Sequence, residues 1–247
     1  MCLITPLFDL SPVFLSLLRA LALGAWHPAP RTVLMIGLGS GSWATVIADN
    51  PSVQELTIVE INPGYLQLIA KYPQVADILV HPKVHIIIDD GRRWMVRNPH
   101  RKFDAIVANT AVHWRAQATN VLSTEFLELA RSRLAPGGIL YYNTTGSSRA
   151  QKTGATAFPY ALRAWNFLVT SETPIVFNEQ RFFGFLKNYH IHGQPLFDFR
   201  EGRDRLKLQA ILKTVAMNIE DRKSILARTR RFKLIDDDNM GDEWEKF

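Results

Sequence analysis

Gly37, Gly39 and Gly41 alternate directly after a short apolar run, and a carboxylate, Glu60, stands 23 positions after Gly37. Each residue type has a task in binding a nucleoside. A loop that leaves a strand and enters a helix presents free N–H groups, and glycine lets a ligand come close to that backbone. A carboxylate at the end of the next strand can accept both hydroxyls of a ribose. The strand before the glycines and the acid at this distance give the pattern its weight; without them it reads as a tight turn and a surface acid. The loop is Gly-x-Gly-x-Gly, and Ser42 and Trp43 follow where a dinucleotide fingerprint has its later glycine. A Trp where helix and strand must pack closely disfavours NAD or FAD, and a mononucleoside without pyrophosphate, such as S-adenosylmethionine, fits better.

More chemistry-bearing residues follow later apolar runs. Asp89-Asp90-Gly91 closes the run at 84–88, and Asn109 follows the run at 103–108, leading into Val112, His113, Trp114 and Arg115. His113 has an ordinary pKa near ~6.5, which suits a general base; its other reading is a structural histidine packed beside Trp114. Arg115 would repel a cation and suits a carboxylate. Trp94 and Trp114 could stack on a base, although core packing is the commoner fate of such residues. Tyr141 and Tyr142 belong to a strand. Asp236-Asp237-Asp238 could suggest a metal, but consecutive acids diverge, so a solvated tail or a helix-end partner for nearby arginines is the better reading and no metal site is expected.

These residues need a scaffold that brings them to one edge. Strands are expected at 33–36, 56–59, 84–88, 103–108 and 139–142, alternating with helices at 43–49, 62–72, 92–97 and 123–134, the last capped by Ser123. That alternation predicts an α/β fold, a Rossmann-like, doubly wound parallel sheet of the S-adenosylmethionine-dependent methyltransferase type, with ligands beyond the strands' carboxyl ends. Residues 157–167 read as a helix, and 169–177 with 181–186 as a closing strand pair. Charged helices at 203–217 and 220–230 carry apolar residues at helical spacing, among them Leu208, Ile211, Leu212 and Val215. The domain reading is an apolar N-terminal helix at 1–26, a nucleoside-binding domain at 27–190 and a charged helical extension at 191–247.

Composition bounds the rest. The 247 residues are 47% apolar and 21% charged, ordinary for a globular protein. Net charge is +6, but no basic stripe is interleaved with aromatics, so nucleic acid is not an expected partner. One cysteine, Cys2, excludes an internal disulfide framework. The apolar start is interrupted by Pro6, Asp9, Pro12 and Arg19, which leaves too short a clean run for a spanning helix. It has no basic leader region, so a signal peptide is not expected. An amphipathic helix at 11–23, with Ser11 as cap, is expected instead, and it leaves membrane-surface association open. The compartment read from this is cytoplasmic, with that association as its qualification.

From His27 to about residue 186 the chain resembles the spermidine synthase family of polyamine aminopropyltransferases. The residues that carry the resemblance are His27-Pro28-x-Pro30-Arg31-x-Val33-Leu34-x-Ile36-Gly37-x-Gly39-x-Gly41, Glu60-Ile61, Asp90-Gly91 and Pro136-Gly137-Gly138. Asp89-Asp90-Gly91-Arg92-Arg93-Trp94, His113-Trp114-Arg115 and the stretch from Asp237 to Gly241 resemble a divergent bacterial branch often fused to membrane-spanning segments. The resemblance implies that Gly37, Gly39, Ser40 and Gly41 hold the methionine-derived part of the donor, Glu60 the ribose and Asp90 the adenine amino group, with Ile61, Asp89 and Gly91 also binding the cofactor. It places Asn109 facing the sulfonium. Family members carry an Asp where Ser40 stands and an Asp-x-x-Asp pair where Asn109 and Val112 stand. Their Tyr-His-Glu stretch aligns with Leu15-Ser16-Leu17, and their N-terminal β-hairpin domain has no counterpart here.

Three functions follow. The first is a spermidine synthase-like transferase using S-adenosylmethionine or its decarboxylated form, with Asn109 and His113 as catalytic candidates and a small-molecule acceptor. The second is a small-molecule methyltransferase, favoured by the loss of negative charge at Ser40. The third is a non-catalytic nucleoside-binding domain. A homodimer is left open.

Overall fold

The structure is a computed structural model that describes residues 12–109, 118–200 and 202–239. Two short helices, α1 (Pro12–Leu21) and α2 (Leu23–Trp26), lead into β1 (Thr32–Ile36) and α3 (Ser42–Ala48). Then come β2 (Glu55–Glu60), α4 (Gly64–Ile69), α5 (Pro73–Ala76), β3 (Val84–Ile88) and α6 (Gly91–Arg97). β4 (Phe103–Ala108), α7 (Thr124–Arg131), β5 (Leu134–Asn143) and α8 (Ser148–Ala157) follow. The chain continues with β6 (Tyr160–Ala164), β7 (Phe167–Ser171), α9 (Glu179–Lys187) and the two-residue pair β8 (His190–Ile191) and β9 (Gln194–Pro195). It ends in α10 (Gly202–Met217), β10 (Ile219–Asp221) and α11 (Arg222–Arg228).

Eight strands form one sheet in the order β10-β6-β7-β5-β4-β1-β2-β3. β3, β2, β1, β4 and β5 are mutually parallel, whereas β7 is antiparallel to both β5 and β6. The near-continuous apolar strands follow from burial on both faces. Because successive side chains alternate, Val33 and Met35 enter one core, together with Leu56, Ile58, Ala105, Val107 and Tyr141. Leu34 and Ile36 enter the other, with Val59, Ile106, Ala108, Leu140 and Tyr142. α1, α2, α3, α9 and α10 supply buried side chains to the first core, and α6, α7, α8 and α11 to the second.

The helix ends are set by short polar side chains at their caps. Asp90 accepts the amide of Arg93, Ser123 that of Phe126 and Asn178 that of Arg181. β5 starts earlier than its apolar run, at Leu134, and crosses Pro136-Gly137-Gly138 through an irregular register opposite Phe103 and Ala105. Gly138 is required there, since a Cβ would lie 2.8 Å from the Phe103 carbonyl oxygen.

Three readings of the sequence are corrected. The helix expected at 157–167 is a hairpin: β6 and β7 pair Ala164 with Phe167 across a two-residue turn in which Trp165 takes a φ of 55°. The strand expected at 181–186 is the helix α9. Its aromatic run buries Phe182 and Leu186, four residues apart, which is helical spacing. The helix expected from 220 begins only at Arg222, because Ile219–Asp221 pairs antiparallel with β6 as the edge strand. Helix α10 does bury Leu208, Ile211, Leu212 and Val215 on one face. α1 covers much of the helix expected at 11–23; Ser11 lies outside the described residues. No helix among the described residues is long and apolar enough to cross a membrane.

Candidate nucleoside site

The parallel strands deliver Gly37, Glu60, Asp89, Asn109 and Asn143 to the same sheet edge. The glycine loop is built by Glu60. That side chain is 3% exposed, and its Oε2 accepts the Leu38 amide at 2.6 Å and the Gly39 amide at 3.4 Å. Its Oε1 accepts the amide of Asn62 at 2.8 Å. A carboxylate has about four acceptor positions, so Glu60 keeps one on Oε1 beyond its three loop contacts. Gly37, Gly39 and Gly41 have φ of 88°, 55° and 81°, a region that favours glycine. The loop then returns to the sheet, as the Gly37 amide donates to the Val59 carbonyl at 2.9 Å.

Ser40 and Ser42 share a hydroxyl hydrogen bond of 3.1 Å at the outer side of this loop. They line a cleft of about 280 Å³ whose other walls include Leu68, Ile69, Tyr72 and Val75. Those lining residues carry no formal charge. Beyond Glu60, Ile61 is 70% exposed and Ile88 at the end of β3 is 45% exposed, so apolar side chains border the carboxylates at this edge.

The two acids after β3 have different surroundings. Asp90 caps α6 through Arg93, and Gly91 follows against Ile36 of β1. Asp89 accepts its neighbour's amide at 2.8 Å, the Arg93 Nε at 2.5 Å, and pairs with Arg97 at 3.7 Å. Burial pushes the Asp89 carboxyl up, but the Arg93 and Asp90 hydrogen bonds and the charge of Arg97 outweigh it and hold the group below the usual carboxylate range. Asp89 is therefore engaged with the arginines of α6, and Asp90 is the acid of the pair without an ion-pair partner among the described residues.

Asn109 is oriented by a chain of amides that sequence reasoning overlooked. Its Oδ1 accepts Asn143 Nδ2 at 3.3 Å, and Asn143 Oδ1 accepts Asn166 Nδ2 at 2.6 Å and the Thr145 amide at 2.8 Å. The available signal was position: an Asn ends β5 as another follows β4. Val112, His113, Trp114 and Arg115 lie outside the described residues. Trp94 is core, 8% exposed and 6.2 Å from the Phe103 ring. Trp43 turns into the other core, stacked 5.3 Å from Phe167. Tyr141 and Tyr142 are buried in β5.

The acidic run serves as structure. Asp237 receives both terminal nitrogens of Arg92, one at 2.8 Å, while Arg92 also donates to Asn120 at 3.1 Å. Residues 233–239 form a strap: Ile235 is bonded at 2.8 Å by the Thr124 amide and at 2.9 Å to Thr153, and Arg149 donates to the Leu234 carbonyl at 2.8 Å. The strap meets α6 one residue beyond Gly91.

The sheet order, with helices on both faces, defines a Rossmann-like fold of the S-adenosylmethionine-dependent methyltransferase type. A spermidine synthase solved with the transition-state analogue AdoDATO superposes with a TM-score of 0.58 at 18% identity, over 81% of this chain and 73% of that one. The spermidine synthase of Thermotoga maritima gives 0.54 at 18% identity, over 78% and 71%. The spermine/spermidine synthase domain model matches residues 18–171, so the chain belongs to that family. A spermidine synthase of Dictyostelium discoideum is 31% identical over 115 residues, 46% of this chain and 40% of its own length. A polyamine aminopropyltransferase of Desulforudis audaxviator is 29% identical over 153 residues, 58% of this chain and 54% of its own. One from Mycobacterium tuberculosis is 29% identical over 144 residues, 57% of this chain but 27% of that protein. The chain thus spans about a quarter to a half of the length of these relatives.

Proposed function

We propose that this protein is a spermidine synthase-like transferase that binds an adenosyl sulfonium donor, S-adenosylmethionine or its decarboxylated form, at the Gly37–Glu60 edge. The observation that carries the reading is Glu60, which holds the glycine loop through the Leu38 and Gly39 amides, accepts the Asn62 amide after β2, and retains one acceptor position for a ribose hydroxyl. Ile61 and Ile88 offer apolar cover for a flat base, Asp90 an acceptor for the adenine amino group, and the Ser40–Ser42 cleft a place for the donor's tail. In transfer, an acceptor lone pair attacks the carbon next to the sulfonium, the carbon–sulfur bond breaks and its electrons neutralise the sulfur, and the acceptor's proton leaves to a base. Asn109 orients but cannot take that proton; His113 is the basic candidate on the adjoining segment.

The methyltransferase reading has its own support in the uncharged lining of the Ser40 cleft, which supplies no carboxylate for the terminal ammonium of a decarboxylated donor. Calorimetric titration with S-adenosylmethionine, its decarboxylated form and methylthioadenosine, followed by incubation with putrescine, separates the readings. Spermidine and methylthioadenosine as products establish aminopropyl transfer, whereas S-adenosylhomocysteine formed with an acceptor establishes methyl transfer. Nucleoside binding without turnover leaves the binding-domain reading, and no nucleoside binding refutes all three. Membrane-surface association through the N-terminal helix and homodimer formation belong to this proposal as features to test by vesicle sedimentation and by light scattering.

A further inference from the structure

A second cavity, of about 350 Å³, opens at the sheet edge opposite the glycine loop. It lies where the chain enters β1, where β5 begins and where β7 ends, and its lining includes Trp26, His27, Ile139, Ile175, Val176 and Arg181. The His27-Pro28 motif of the sequence therefore sits on this edge, away from the nucleoside.

Arg181 is the unusual member. Arg92, Arg163 and Arg228 each pair with a carboxylate. Arg181 has no ion pair among the described residues. One of its terminal nitrogens donates to the Ala25 carbonyl at 2.5 Å, while its Nε is enclosed without an acceptor. Burial disfavours its charge, so the cation is held at a cost. His27 lines the same cavity. Its Nδ1 accepts the Ala29 amide at 3.3 Å, which leaves Nε2 to carry the proton of the neutral ring. Burial lowers the His27 pKa, the Asp104 charge raises it and the Arg181 charge lowers it again. Asp104 makes no ion pair with Arg181; its Oδ2 accepts the amides of Arg31 and Thr32 at 2.8 and 2.9 Å.

We propose that this cavity binds a small amphiphilic carboxylate, its head on Arg181 and His27 and its apolar body against Ile139, Ile175 and Val176. One cation and one neutral donor match a single negative charge. A phosphate dianion needs more donors, and the nearby hydroxyls are committed: Ser171 donates to the Gly138 carbonyl at 2.9 Å and Thr173 is 3.2 Å from the Ser171 oxygen. The mixture of apolar wall and few convergent polar groups is that of a small-molecule site.

The test is calorimetric titration of the full chain with benzoate and, separately, inorganic phosphate, each with and without saturating methylthioadenosine. Benzoate is expected to bind, unaffected by methylthioadenosine, and R181Q should weaken it by ~10-fold or more. If R181Q does not fold, V176D places a carboxylate at an exposed lip of the cavity and should weaken benzoate to the same degree. Absent benzoate binding, binding unchanged in the variants, displacement by methylthioadenosine, or binding of phosphate in place of benzoate would each overturn the proposal. The outcome is independent of whether the nucleoside edge is active.

Discussion

The Arg92 guanidinium holds both carboxylate oxygens of Asp237 across 145 positions of sequence. This pair fastens the strap of residues 233–239 to the start of α6, beside Asp90. The side chains are 23% and 34% exposed, so solvent screens the interaction, and D237N is expected to cost about 0.5–1 kcal/mol. The Arg92 hydrogen bond, opposed by burial, holds the Asp237 carboxyl below its usual range. A depressed carboxylate contributes fully above its unfolded pKa of ~3.9 and loses the contribution as pH falls through the lower folded value. Urea denaturation should therefore separate wild type from D237N at pH 6 and bring them together in strong acid; a gap that widens in acid would reject the assignment.

Glu60→Gln tests the loop. A Gln amide would set N–H groups against at least one backbone N–H now satisfied by Oε1 or Oε2. A buried donor left unpaired costs about 1–3 kcal/mol, so E60Q should lower the unfolding free energy by that amount and weaken methylthioadenosine binding as well. Unchanged stability with lost binding would assign Glu60 to the ligand alone.

Gly91→Ala perturbs the same edge from below. The added Cβ would lie 2.7 Å from Ile36 Cγ2, and the β-branched Ile36 has little freedom to withdraw. Overpacking of this kind costs about 1–3 kcal/mol. Thermal melting should show the loss, and an alanine variant as stable as wild type would mean that α6 can move off β1.

The amide chain predicts a separation of binding from turnover. N143L removes the group that orients Asn109 while leaving Glu60 and Asp90 in place. Under the proposed chemistry, nucleoside affinity should change by less than about twofold and the single-turnover rate should fall about 10- to 100-fold, as expected for misorientation near the reacting atoms. Equal losses in both would make Asn143 a folding residue.

The parallel half of the sheet was legible because its strands are buried on both faces and end in distinctive residues: Gly37, Glu60, Asp89 and Asn109 could each be placed before any coordinates. The antiparallel half was not. Ala161, Leu162 and Arg163 favour a helix locally, but pairing with β7 overrides that preference. The aromatic run of α9 looks like a strand until Asn178 is recognised as a cap. The strand-end positions of the candidate site's acids and glycines were legible, but its second contacts were not, since the links from Asn109 to Asn143 and from Arg92 to Asp237 are made by tertiary folding and leave no local periodicity.

β10 is only three residues long, yet it supplies the outer neighbour of β6 from a segment more than fifty residues later in the chain. Ile219–Asp221 covers the outer edge of β6, and the strap behind it seals the α7–α8 surface through Ile235. A ribosome that has released the glycine loop, all five parallel strands and the β6–β7 hairpin still holds a nascent chain with a bare hairpin edge, a template for pairing with another chain. The interval between emergence of β6 and emergence of residues 219–239 is thus the period in which aggregation competes with folding, and slower translation through α10 would lengthen it.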